Sequence, residues 1–222
     1  MLVALHDPLL VLASFLAVFA LLVGARTASS RGVSSATVRR SLHAAIGLWT
    51  AFAAYLFLRL GWALVPPLGF LAANASGRTG ILVPALVREG DTGWKRGLWT
   101  FPLGVAAVYA IFWNDPGRAP VIAGCLALAL ADPAAAWVGK RLGQRRLRPL
   151  ALGRTLEGSL AFFVVAALAV GAVAACQGNA VHAVRMAVVC GAAGAAVEAL
   201  SPAGWDNAVI PVAVGAAYHF LA

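Results

Sequence analysis

The chain has 222 residues, 62% hydrophobic and only 11% charged, with a mean hydropathy of +0.87 and a net charge of +9. A soluble domain carries roughly twice that charged fraction, so composition excludes an ordinary soluble fold, and it equally excludes a disordered or collagen-like chain. The apolar residues fall into runs near the length of a bilayer core, which predicts one integral membrane domain over residues 1–222, an all-α transmembrane helical bundle.

The first run, Pro8–Gly24, has no basic stretch before it and no small-residue cleavage site after it. It is read as a retained helix rather than a signal peptide. Further apolar segments near 42–60, 62–75, 97–113, 119–139, 158–176, 180–197 and 208–222 predict seven or eight spans in all. The segment 62–75 decides the count. Its helix would rise only about 21 Å against a core of about 30 Å, and Pro66-Pro67 interrupt it. It is either a short kinked span or part of a re-entrant hairpin with Ile81–Val87. Cys125, Cys176 and Cys190 lie in apolar runs without CxxC or histidine-rich company and read as small packing residues.

Charge placement favours eight crossings. With the N terminus outside, the loops 26–41, 76–96, 140–157 and 198–207 share one face. That face receives every Lys and Arg of the seventeen except Arg59, Arg118 and Arg185. The positive-inside rule makes it cytoplasmic, in a multi-pass protein of the cell membrane. Basic loops lying against anionic lipid account for the net charge, and the chain leaves no exposed soluble basic face for nucleic acid.

Asp132 sits within the apolar run Val121–Val138, where a carboxylate is costly unless paired, metal-bound or facing water. Pro133 removes a backbone donor beside it and is expected to break or kink the helix. Asp132 is therefore a candidate magnesium ligand, with an interhelical pair to Arg185 as the alternative. If the helix persists, Asp132, Ala136, Gly139 and Gly143 share one small-residue face. Next, Gly153–Ser159 joins a basic loop to an apolar helix. Thr155 or Ser159 can cap that helix and Arg154 can fork onto phosphate. Glu157 is a metal ligand, an orienting group for Arg154, or simply a first-turn acid. Arg39-Arg40-Ser41-Leu42-His43 brings a basic pair and a histidine to the same face. Glu198, Asp206 and Asn207 meet around the turn between the last two segments, where Asp206 can also serve only as an N-cap.

Taken in order, Arg39–His43, Ala131-Asp132 with Gly139-Lys140-Arg141-Leu142-Gly143, Arg154–Ser159, and Glu198 with Asp206-Asn207 and Pro211 resemble the motifs of a known membrane family. This is the CTP-dependent isoprenoid-alcohol kinase family (dolichol, polyprenol and phytol kinases), within the lipid kinase and phosphatidate cytidylyltransferase superfamily. The resemblance covers about residues 37–215. Ala131 stands where the family has glycine, Arg40 and Arg154 where it has lysine, and Pro133 is a departure. The resemblance implies phosphorylation of a membrane isoprenoid alcohol at the expense of CTP, with Mg2+. It assigns Asp132, Arg154 and Glu157 to catalysis and Asp132, Glu157 and Asp206 to the metal. Arg39, Arg40, His43, Gly139, Lys140, Gly143, Arg154, Thr155 and Asn207 would bind nucleotide. The partners implied are a lipid alcohol, a nucleoside triphosphate and the bilayer, with a homo-oligomer left open. A cytidylyltransferase making CDP-lipid and a non-catalytic transporter or scaffold are the competing readings, although no inverted repeat of the kind common in transporters is visible.

Overall fold

A computed structural model describes residues 2–75, 92–147, 153–177 and 180–222. Among the described residues the fold is all-α, apart from one isolated β-bridge between Arg146 and Thr155. In chain order the helices are α1 (Leu2–Ser30), α2 (Ser35–Leu56), α3 (Leu60–Ala75), α4 (Thr92–Phe112), α5 (Ala119–Leu126), α6 (Asp132–Leu142), α7 (Leu156–Ala175), α8 (Ala180–Leu200) and α9 (Asp206–Leu221). A 3-10 turn, Pro116–Arg118, precedes α5, and a π turn, Ala127–Ala131, joins α5 to α6.

Four stretches are long and apolar enough to cross a membrane: Ala4–Ser30, Pro116–Leu142, Leu156–Ala175 and Val181–Leu200. That is fewer than the seven or eight expected, because the remaining helices are shorter or more polar. Helices α3 and α9 have 16 residues each, about 24 Å of rise. The outer faces nevertheless carry continuous apolar rows, such as Leu5, Leu9, Leu12, Leu16, Phe19 and Val23 on α1. These follow helical spacing, as a surface solvated by lipid requires.

Two expectations about proline are corrected. Pro66 and Pro67 remove the amides that would serve the Trp62 and Ala63 carbonyls, yet α3 runs through both, and both are buried. The accompanying segment 81–87 lies outside the described residues. At Asp132-Pro133 the chain does not break; a π turn precedes the proline, which sits in the first turn of α6.

Helices α7 and α8 form the most extensive pair, with Gly171 against Ala187 and Gly191 against Ala167 allowing close approach. Helix α9 crosses α5 where Gly124 meets the Pro211 backbone, and Phe162, Met186, Ile210 and Val214 fill the core between them. Cys125 and Cys190 are buried as expected, whereas Cys176, at the α7 C-cap, is exposed.

The polar groups gather at the two ends of the bundle. At one end, Asp7 accepts hydrogen bonds from the Leu58 (2.9 Å) and Arg59 (3.1 Å) amides, satisfying donors at the start of α3. Arg118 donates to the Ala54 carbonyl at 2.7 Å and to the Phe57 carbonyl, closing the end of α2, while its guanidinium lies 3.9 Å from the Trp113 ring centroid. One buried acid and one cation thus pin the α2–α3 corner to α1 and α5. Asp115 and His219 pair at 2.6 Å at the same end. The candidate site occupies the other end.

Candidate functional site

The site is built on a fold-back of the chain after α6. The Leu147 amide donates to the Arg154 carbonyl at 3.0 Å and the Leu156 amide to the Arg145 carbonyl at 2.9 Å, so residues 145–147 lie alongside residues 154–156. Thr155 then caps α7 by accepting from the Gly158 amide at 3.1 Å. Gly139 and Gly158 make this return fit. A Cβ on Gly139 would lie 2.9 Å from Thr155 Oγ1, and one on Gly158 would lie 3.0 Å from the Ala135 carbonyl. The small-residue face of α6 therefore packs against the start of α7 as well as lining a cavity.

That polar cavity has a volume of about 510 Å³ and is bounded by Asp132, Gly139, Lys140, Gly143, Arg146, Arg154, Thr155, Glu198 and Asp206 among others. A second, apolar cavity of about 340 Å³ opens between α1, α2, α3 and α4. Arg39, Arg40, His43 and Asn207 line its polar end, and Phe57, Ala63 and Tyr109 line it further in. From His43 to Phe57, α2 rises about 21 Å, which sets the depth of the apolar chamber. Asp132 and Asp206 border both cavities.

Arg154 is the most heavily partnered group. Its Nη1 lies 2.6 Å from Glu198 Oε1 and its Nη2 donates to Asp206 Oδ2 at 2.8 Å, with all three side chains largely enclosed. Ser159 donates to the other Glu198 oxygen at 2.8 Å, and Asp206 Oδ1 accepts from the Asn207 amide at 2.9 Å. The guanidinium therefore ties the end of α8 to the start of α9. Its fork, expected to engage phosphate, is already occupied by two carboxylates. Among the described residues, the cations that line the polar cavity without such a clamp are Lys140 and Arg146.

Asp132 differs from Asp206. The His43 Nε2 atom stands 3.7 Å from its Oδ2, beyond hydrogen-bond reach, and 23% of its side chain remains accessible. Arg185, its alternative partner, is exposed on α8 and lines neither cavity. Of the predicted set, the structure brings Arg39, Arg40, His43, Asp132, Gly139, Lys140, Gly143, Arg154, Thr155, Asp206 and Asn207 to these two adjoining cavities. It leaves out Glu157. That carboxylate accepts from the Arg145 amide at 3.3 Å on the outer side of the turn and does not line the cavity. There it braces the turn at the start of α7, and among the described residues Asp132, Glu157 and Asp206 do not come together as one metal set.

Two residues of the site have no assigned role in the sequence reading. Glu198 is one, although a carboxylate ending an apolar helix is itself a signal of a buried partner. Arg146 is the other, and it carries no local signal that separates it from arginines serving topology. Compared with family models, curated proteins and solved structures, the chain finds no match.

Among the described residues no three His, Cys, Asp or Glu side chains form a metal-binding group. Magnesium commonly takes one or two carboxylates and completes its shell with water and substrate phosphates, so the accessible Asp132 carboxylate, with Asp206 bordering the same cavity, fits that ion's oxygen-donor chemistry.

Proposed function

We propose that the chain is a membrane-embedded kinase that transfers the γ-phosphoryl group of CTP to an isoprenoid alcohol. The observation that carries this reading is the meeting of an apolar chamber and a polar, cation-lined cavity at Asp132. A lipid alcohol needs both: hydrocarbon walls for its chain and a wet, charged end for its hydroxyl. A polyphosphate needs cations placed where charge develops in transfer.

In this reading the nucleotide occupies the polar cavity, its phosphates facing Lys140 and Arg146, with Arg39 and Arg40 at the shared mouth. The lipid chain lies between α1, α2, α3 and α4, presenting its hydroxyl near Asp132. The hydroxyl oxygen attacks the γ-phosphorus in line, the bond from that phosphorus to the CDP oxygen breaks, and the hydroxyl proton passes to water in the polar cavity. Asp132 would hold Mg2+, which when bound supplies positive charge to the phosphates. Arg154 aligns Asp206 and Glu198 rather than touching substrate.

The proposed topology has eight crossings with both termini outside and the site cytoplasmic, in the cell membrane. The segregation of polar groups supports it: Asp7, Arg59, Arg118, Asp115 and His219 lie at one end, and Arg39, Arg40, Lys140, Arg146 and Arg154 line the site at the other. The rise of α2, about 33 Å, is close to the roughly 30 Å of a bilayer's hydrocarbon core.

The test is a substrate panel with purified protein: phytol, short and long polyprenols, diacylglycerol and phosphatidate, each with every nucleoside triphosphate and Mg2+. CDP release with a phosphorylated isoprenoid alcohol supports the proposal. Pyrophosphate release from CTP with a phosphatidate acceptor would establish the cytidylyltransferase reading instead.

A further inference from the structure

The π turn before Asp132 leaves one backbone carbonyl in need of a donor. In an i→i−5 ladder through Ala127–Ala131, the next amide in line, that of residue 133, would serve the Leu128 carbonyl. Residue 133 is proline and has no N–H. Leu128 is fully buried, so its carbonyl has no ready access to bulk water. The structure supplies a donor from another helix: His43 Nε2, on α2, lies 3.0 Å from the Leu128 oxygen.

A carbonyl oxygen can only accept, so Nε2 carries the proton in this contact. The ring is further held by an edge contact with Phe101, with centroids 5.0 Å apart at 75°. One turn further along α2, Gly47 allows the approach, since a Cβ there would lie 2.5 Å from Ala129 Cβ. Two residues of α2, four apart, are thus fitted to the π segment.

We infer that His43 stands in for the backbone donor that Pro133 removes and thereby sets the direction in which Asp132 faces. One residue inserted into a helical turn rotates the downstream helix by about 100°, so the π turn decides whether Asp132 borders the cavities or packs elsewhere. The same Nε2 that closes the turn lies 3.7 Å from Asp132 Oδ2. His43 is a positioning residue, and the phosphate-binding role expected from its motif passes to the neighbouring arginines. The departure at Pro133 and the histidine ninety residues earlier are two halves of one device.

The pairing rests on geometry alone; its consequence for turnover rests on the proposed transfer reaction. A double-mutant cycle tests both, using His43→Ala, Pro133→Ala and the double variant, with His43→Gln as a donor-retaining control. Thermal midpoints in detergent and turnover are the readouts. His43→Ala is expected to lower the midpoint and to cut turnover about tenfold, the factor matching one buried carbonyl left unpaired. Pro133→Ala keeps the wild-type midpoint. The double variant, with an amide restored at 133, recovers most of both losses, and His43→Gln loses less than His43→Ala. A double variant no better than His43→Ala, or a His43→Ala protein with the wild-type midpoint, would overturn the inference. So would 15N spectra showing the neutral His43 ring protonated at Nδ1. If the wild-type protein transfers no phosphate but the midpoints still couple, the His43 inference stands and the kinase proposal fails.

Discussion

Replacing Arg154 by Met removes the cation between Glu198 and Asp206 while keeping much of the side-chain volume. The three side chains are 13%, 9% and 16% accessible, so two carboxylates would be left largely enclosed without a countercharge. Removing one partner of a buried ion pair costs about 3–5 kcal/mol. Glu198 keeps its Ser159 hydrogen bond and Asp206 keeps the Asn207 amide, which places the loss near the lower bound, about 3 kcal/mol. Arg154→Lys supplies a point charge that cannot fork to both acids and should recover about half of that. The triple variant Arg154→Met, Glu198→Gln, Asp206→Asn removes all three charges and should be nearer to wild type than Arg154→Met alone, since neutral replacement of a buried ionic triad is often tolerated. Unfolding free energies from denaturing-detergent titration in mixed micelles would measure this series. A loss below about 1 kcal/mol for Arg154→Met, or a triple variant as unstable as the single, would refute the clamp.

Asp7→Ala should cost about 2 kcal/mol by orphaning the Leu58 and Arg59 amides, yet leave the KM for nucleotide unchanged, because the corner lies about 21 Å along α2 from His43. Unfolding and steady-state kinetics on one preparation would check both halves. Ala63→Phe fills the apolar chamber and should raise the KM for the lipid acceptor several-fold while sparing that for nucleotide. Kinetics with each substrate varied in turn would test this, and a rise confined to the nucleotide KM would show that the chamber does not hold the lipid.

Much of this architecture is legible in the sequence because membranes impose strong rules. Helices follow from apolar runs, although among the described residues fewer of them are long and apolar enough to cross a membrane than those runs suggest. Asp132 stands out because a carboxylate in an apolar run demands a reason. The partners are less legible. Whether Arg154 binds phosphate or clamps two acids depends on where α8 ends relative to α9, which local sequence does not encode. Glu157 looks equivalent to Glu198, but the pairing of residues 145–147 with 154–156 turns it outward to the Arg145 amide. Pro133 signals a broken helix by the ordinary rule. The π turn and a histidine from α2 satisfy the backbone instead, a solution visible only once distant helices are packed.

If Asp132 serves phosphoryl transfer from nucleotide to lipid, label on the γ-phosphate of CTP must reach the lipid. The direct measurement supplies that labelled CTP, phytol or a polyprenol in mixed micelles, and Mg2+ to the wild-type and Asp132→Asn proteins. Label is expected in the lipid phase for wild type, and reduced about a hundredfold or more, on the order of the loss of one electrostatic stabiliser, in a variant that remains folded. Label released as pyrophosphate, or transfer undiminished by Asp132→Asn, would contradict that role.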